Sequence, residues 1–167
     1  RPEPSRRRPS RAESVVVGRA HARPEVAVRE TLRAARDAAP GSPERASLEV
    51  ALAQIGAEQV ELPHTIGGKR VMGGGRAVAV RQPHAHKKVL GTLKNATVED
   101  AQAAVQAAKD AAPGWRELSF DDRAAILLKA ADLLSGPYRA RMNAATMLGQ
   151  SKTCYQAEID SACELID

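Results

Sequence analysis

The side chains of this sequence whose types could do chemistry gather toward its end. Cys154 and Cys163 lie in the closing stretch GQSKTCYQAEIDSACELID, Gly149 to Asp167, together with Glu158, Asp160, Glu164 and Asp167. A cysteine nucleophile needs a thiolate and a nearby group that activates it. No histidine follows His86 to act as that group. Cys154 falls near an expected helix N-terminus, which lowers a thiol pKa. A small packing thiol is still the preferred reading, and for Cys163, deeper in the same helix, the more so. The two cysteines are nine residues apart, which at about 100° per residue puts them on opposite faces of an α-helix, where they cannot bridge. With no CxxC pair present, they point to a reducing compartment.

The carboxylates have an ordinary reading. Asp160, Glu164 and Asp167 fall at i, i+4 and i+7 and share an α-helical face, which is expected to be solvated. His84 and His86 in PHAHKK would share one side of a strand and could meet one metal ion. Two ligands do not make a metal site, and Lys87 and Lys88 repel a cation, so a surface loop is expected. Lys152-Thr153 after Gly149 has the look of a phosphate loop, but the spacing is wrong and a helix, not a strand, precedes it. The glycines at Gly67-Gly68 and Gly73-Gly74-Gly75 form neither GxGxxG nor GxxxxGK[ST] and are read as turns. The residues alone therefore supply no catalytic, cofactor-binding or metal site.

The elements that would carry these side chains can be read from caps and periodicity. Ser42, Pro43 and Glu44 begin a helix over 43–56, with Leu48, Ala51, Leu52 and Ile55 on one face and Gly56 as its end. Between Glu61 and Leu93 alternation, β-branched residues and glycines predict a hairpin or meander, with strands at Ala77–Arg81 and Lys88–Thr92. Helices are expected within 97–167. Thr97 with Asp100 starts one that carries Val98, Ala101, Val105 and Ala108 on a stripe and stops at Pro113-Gly114. Ser119 with Asp122 starts another, with Ile126, Leu127, Ala130, Leu133 and Leu134 as its apolar face, broken at Ser135-Gly136-Pro137. Tyr138–Leu148 makes a third, and Thr153 opens a fourth. A short helix is also possible over Val26–Ala38.

The 167 residues carry a formal charge of +5, and all of it sits in 1–45, where 11 Lys and Arg face 6 Asp and Glu. The rest balances at 14 against 14. Residues 1–40, rich in Arg, Ser and Pro, read as a basic disordered or transit-like segment, although Glu3, Glu13, Glu25 and Glu30 argue against a transit peptide. A nucleic-acid binder should show its basic patch on the folded body, with aromatics to stack on bases. Here the body is neutral and all four aromatics (Trp115, Phe120, Tyr138 and Tyr155) come after residue 114. No apolar run reaches the roughly 18 residues of a membrane helix, so neither nucleic acid nor membrane is expected as a partner.

Trp115 to Asp167, WRELSFDDRAAILLKAADLLSGPYRARMNAATMLGQSKTCYQAEIDSACELID, resembles the N-terminal region of aldehyde dehydrogenases. Those have a Trp before a helix of this DRAAILLKAADLL type, then G-x-x-K-T and a helix bearing Glu-Ile/Asp. Within the family, KAADLLSGPYRA, GQSKTCYQAEIDSACELID, GSPERASLEVAL at Gly41 to Leu52 and the strand region RQPHAHKKVLGTL are similar to the 1-pyrroline-5-carboxylate dehydrogenase (L-glutamate γ-semialdehyde dehydrogenase) branch. The resemblance covers about residues 41–167; residues 1–40 and the Gly73–Gly75 hairpin depart from it.

The resemblance implies an α/β fold in which the N-terminal helices and hairpin belong to an NAD-binding domain that is incomplete in this chain. It implies an NAD-dependent oxidation of L-glutamate γ-semialdehyde to L-glutamate in proline catabolism. There a Cys thiolate attacks the aldehyde, hydride leaves to NAD, and a Glu-activated water releases the product from a thioester. The nucleophile, that Glu and the NAD motifs would lie downstream of Asp167, so the chain is expected to be an N-terminal fragment, inactive by itself. One site residue carries over: Glu164, beside the substrate entrance, ordering or polarising the pocket. A homodimer or higher homo-oligomer in the mitochondrial matrix is implied as well. Another aldehyde dehydrogenase subfamily and a non-enzymatic helical interaction module are the alternatives.

Overall fold

Ser42 accepts a hydrogen bond from the Arg45 backbone N–H at 3.2 Å, and with Pro43 at the first helical position it begins α1 (Pro43–Ala57). The structure is a computed structural model that describes residues 35–167. The basic segment therefore lies outside the described residues except for 35–40, as does the possible helix over Val26–Ala38 apart from 35–38, which are not helical. Gly56 lies inside α1, and the helix stops at Glu58, where the backbone turns extended.

Five short strands follow: β1 (Val60–Glu61), β2 (His64–Ile66), β3 (Lys69–Val71), β4 (Ala77–Gln82) and β5 (Ala85–Lys94). β2 and β3 form an antiparallel pair in which Ile66 faces Lys69. Gly67 and Gly68, at φ 56° and 75°, make the turn, and two successive positive φ angles are what a tight I′ hairpin demands of its residues. The second sheet has the order β1-β5-β4. β4 runs antiparallel to β5 with an irregular register around Arg81, while β1 pairs parallel to β5 at Val60–Gly91. A side chain at 91 would force β1 away from β5, because its Cβ would lie 2.3 Å from the Val60 carbonyl oxygen.

Four longer or compound helical pieces complete the fold. They are α2 (Val98–Glu117), α3 (Phe120–Ser135), α4 (Arg139–Gln150) and a last stretch made of α5 (Cys154–Ala157), a π-helical segment (Glu158–Cys163) and α6 (Glu164–Ile166). Thr97 and Asp100 form a reciprocal capping box, as their spacing predicts. The same Asp100 carboxylate also accepts from the Gly74 N–H at 2.8 Å, tying the glycine turn to the start of α2. These backbone bonds hold the Asp100 carboxyl below its ordinary pKa. Pro113 does not end α2, which continues to Glu117. Proline's fixed φ suits a helix, and what it removes is one N–H bond, at a cost of about 3 kcal/mol. The stop comes at Leu118, extended at ψ 141°, where Ser119 caps α3 through the Asp122 N–H.

Two small clusters hold the described residues together. Leu48 and Ala51 of α1 meet Ala144 of α4, with Leu52, Ile55, Ala140, Met147 and Cys154 around them. Ala131 of α3 meets Ala162 of the π segment and Ile166 of α6. Alanines dominate both because short side chains let helix backbones approach closely. The stripe expected on α2 is not a buried face here, and of the one expected on α3 Leu134 alone packs against a cluster. α2 has no buried residue, Val98 and Val105 are exposed, and Ile126 and Leu127 of α3 are 52% and 64% exposed. Among the described residues no helix is long and apolar enough to cross a membrane.

Two glycines separate close approach from mere helix content. Gly91→Ala should destabilise the protein by about 1–3 kcal/mol in urea denaturation, through the collision with β1. Gly56→Ala, with nothing within 4 Å of the added carbon, should stabilise it by about 0.4–1 kcal/mol. A neutral Gly91→Ala would refute the close approach as the reason for that glycine.

Candidate functional site

The one concentrated electrostatic site among the described residues is built on Glu158. This residue is 4% exposed, beside Arg139 at 4% and Asn143 at 5%. Arg139 and Asn143 lie one turn apart on α4, on the stripe that also carries Ala140, Ala144 and Met147. Thr153 caps α5 through a box with Gln156, which starts the last helical stretch three residues after α4 ends. The left-handed Ser151, at φ 57°, makes the reversal between the two helices.

Glu158 Oε1 accepts from Arg139 Nε at 2.9 Å, from Arg139 Nη2, and from the Arg36 backbone N–H at 2.7 Å. Oε2 accepts from Asn143 Nδ2 at 2.5 Å. The Arg36 guanidinium in turn donates to the Ser135 carbonyl at 3.2 Å, at the end of α3. Burial alone would raise the Glu158 pKa. The bonds from Arg139, the Arg36 N–H and Asn143, with the Arg139 charge, outweigh it and hold the carboxyl below its ordinary value. A carboxylate so fully engaged is a poor general base, and what the arrangement does is tie α4 to the last helical stretch.

The residues singled out from sequence are dispersed. Glu158, expected with the other carboxylates on solvent, is instead the buried centre. Asp160 is exposed and pairs with Lys152, and Glu164 and Asp167 are exposed. The π-helical segment also breaks the count of 100° per residue. Both cysteines are therefore found toward α4, not on opposite sides. Cys154 packs against the Leu48–Ala51–Ala144 cluster, and Cys163 Sγ lies 3.8 Å from Arg139 Nη2. Neither is in a disulfide. The Cys154 pKa, expected to be lowered by a helix N-terminus, is pushed up, first by burial and then by the Glu158 charge.

His84 and His86 do not share a strand face. His84 occupies the β4–β5 turn with Nδ1 at 2.7 Å from Ser151 Oγ, and the His86 carbonyl accepts from Arg81 Nη1 at 2.9 Å. Lys152 and Thr153, which look like part of a phosphate loop, form an ion pair and a helix cap. Arg139 and Asn143 escaped the sequence reading. The signal that could have found them is two polar residues on the stripe of Ala140, Ala144 and Met147. A dinucleotide cradle does not fit the described residues. Gly67 and Gly68 serve a hairpin, and the space a cradle would need beside Gly73 and Gly75 is filled by the Asn95 backbone, whose carbonyl oxygen would lie 2.4 and 2.7 Å from a Cβ at those positions.

Removing one partner of a buried ion pair strands the other. Glu158→Gln should therefore cost about 3–5 kcal/mol in chemical denaturation, and the double change Glu158→Leu with Arg139→Met should recover much of that loss. The unfolded chain takes up a proton at Glu158 before the folded one does. Stability from this group should be present above the ordinary glutamate pKa and fall away as the pH drops through the lower folded value. A wild-type acid limb identical to that of Glu158→Gln would refute this.

The site's surroundings match known proteins closely. A profile of the aldehyde dehydrogenase family matches residues 71–167. Over 133 residues the chain is 46% identical to the delta-1-pyrroline-5-carboxylate dehydrogenase of Agaricus bisporus, covering 77% of this chain and 24% of that protein. It is 41% identical to the mitochondrial delta-1-pyrroline-5-carboxylate dehydrogenase of Homo sapiens, covering 76% of this chain and 22% of that one. It thus spans about a quarter of the length of these relatives. Among solved structures, the Mycobacterium tuberculosis delta-pyrroline-5-carboxylate dehydrogenase bound with NAD is similar at TM-score 0.79 and 56% identity, over 80% of this chain and 25% of that chain. The Thermus thermophilus 1-pyrroline-5-carboxylate dehydrogenase is similar at TM-score 0.71 and 27% identity, over 80% and 26%. With more than half of its length matched by the family profile, this chain belongs to the aldehyde dehydrogenase family.

Proposed function

We propose that this chain is the N-terminal part of an NAD-dependent dehydrogenase that oxidises L-glutamate γ-semialdehyde, the open form of 1-pyrroline-5-carboxylate, to L-glutamate. The observation that carries this reading is the 56% identity, kept at TM-score 0.79, to a dehydrogenase named for that substrate. The reaction takes two electrons from an aldehyde and adds a water oxygen, with NAD as acceptor. In this reading the described residues supply neither nucleophile nor cofactor cradle. Their part in it is a helical and β-hairpin scaffold, and the exposed apolar faces of α2 and α3 are surfaces that the rest of such an enzyme would cover. Glu164 at the start of α6 is exposed and, unlike Glu158, lies outside the Arg139 cage. This supports its reading as a group that orders the substrate pocket.

A homodimer or higher homo-oligomer is part of the same proposal. So is placement in the mitochondrial matrix, supported by relatives from Emericella nidulans and Homo sapiens whose names include the word mitochondrial. The bacterial neighbour makes cell fractionation the deciding measurement of compartment, and light scattering measures the assembly.

The full-length protein should form NADH and glutamate when given 1-pyrroline-5-carboxylate and NAD. No NADH with this substrate, alongside turnover of simple aldehydes, would move the reading to another branch of the family. Residues 1–167 alone should give no NADH above background. They should also show low hydrogen-exchange protection over 121–167, and protection there should rise in the full-length protein. Glu164→Ala should raise KM for the semialdehyde several-fold while changing kcat little; an unchanged KM would remove Glu164 from the pocket.

A further inference from the structure

Beside the Glu158 cage lies a cavity of about 260 Å³, bounded by the start of α1, the Gly136 turn, α4 and Cys154. Asn143 lines it. This side chain is 5% exposed, and its Oδ1 receives no hydrogen bond. The orientation of the amide is set by chemistry. Nδ2 donates to the Glu158 carboxylate, and turning the amide over would set an oxygen against an oxygen. Asn143 therefore presents a buried acceptor that the described side chains leave without a donor, and such groups are costly unless something pairs with them.

The charges around the cavity select the occupant. Arg36 and Arg139 are balanced by Glu44 and Glu158, so neither a cation nor an anion is called for. Glu158 is already engaged by Arg139, Asn143 and the Arg36 N–H. What is missing is a small neutral donor. We propose that the cavity is an ordered-water site in which water donates to Asn143 Oδ1. One water needs about 10–15 Å³ on the same measure and two to four polar partners. The volume is ample, and Ser47, Cys154 and Glu158 line the same space. Water completes Asn143 without loosening its bond to Glu158.

The test is a crystal structure of the full-length protein at a resolution that shows water. A water about 2.7–3.2 Å from Asn143 Oδ1, with a B-factor like those of its neighbours, is expected. A protein donor from elsewhere in the chain at that position, or no density there, overturns the proposal. In solution, selectively labelled asparagine should show a water cross-peak to the Asn143 side-chain amide in a rotating-frame experiment. The absence of that peak from a folded protein counts against the site. In Asn143→Leu the water should be lost from the density, and a water kept in place would show that Asn143 is not its acceptor.

Discussion

The buried Glu158 carboxylate is the interaction on which the described architecture depends. It gathers Arg139 and Asn143 from α4 and the backbone of Arg36, whose side chain reaches the end of α3. One anion therefore connects the segment before α1, the start of α4 and the last helical stretch, and through the Arg36 side chain the end of α3. Its geometry meets the condition under which a buried charge persists: a paired countercharge and further donors for the other lone pairs. The two hydrophobic clusters flanking it are small and rich in alanine, so they alone specify little about helix orientation. The carboxylate supplies the direction they lack.

The same interaction gives a physical account of the π-helical segment. Glu158 must face α4, Ser161 must reach Thr146 at 2.6 Å, and Ala162 and Ile166 must face Ala131 of α3. The rows 157, 161 and 158, 162, 166 repeat at four residues, which an α-helix of 3.6 residues per turn carries progressively off one face. A stretch of i to i+5 bonding takes up the difference. Leu165 is left 52% exposed as a result, where an uninterrupted α-helix would be expected to turn it inward with Ala162.

Much of the local structure was legible in the sequence because it rests on contacts between near neighbours. Ser42, Thr97, Ser119 and Thr153 all cap the helices expected of them, and Gly67-Gly68 makes its hairpin. Where local reading failed, a longer-range term had decided. α2 runs through Pro113 because the stop is set by the cap of the next helix. The Cys154 thiol is raised, not lowered, because burial and Glu158 act on it more strongly than a helix of one turn.

The sequence by itself determined the helix starts, the Gly67-Gly68 hairpin turn, and the family resemblance that the comparisons bear out. Each of these depends on side chain and backbone within a few positions, or on motif identity. Only the tertiary structure decided that Glu158 is buried, that β1 joins β5 in parallel, and that the final helix changes its pitch. Those outcomes turn on which faces meet across more than a hundred residues of chain, from Arg36 to Glu158. A charged side chain carries no local mark of whether a guanidinium will be waiting for it.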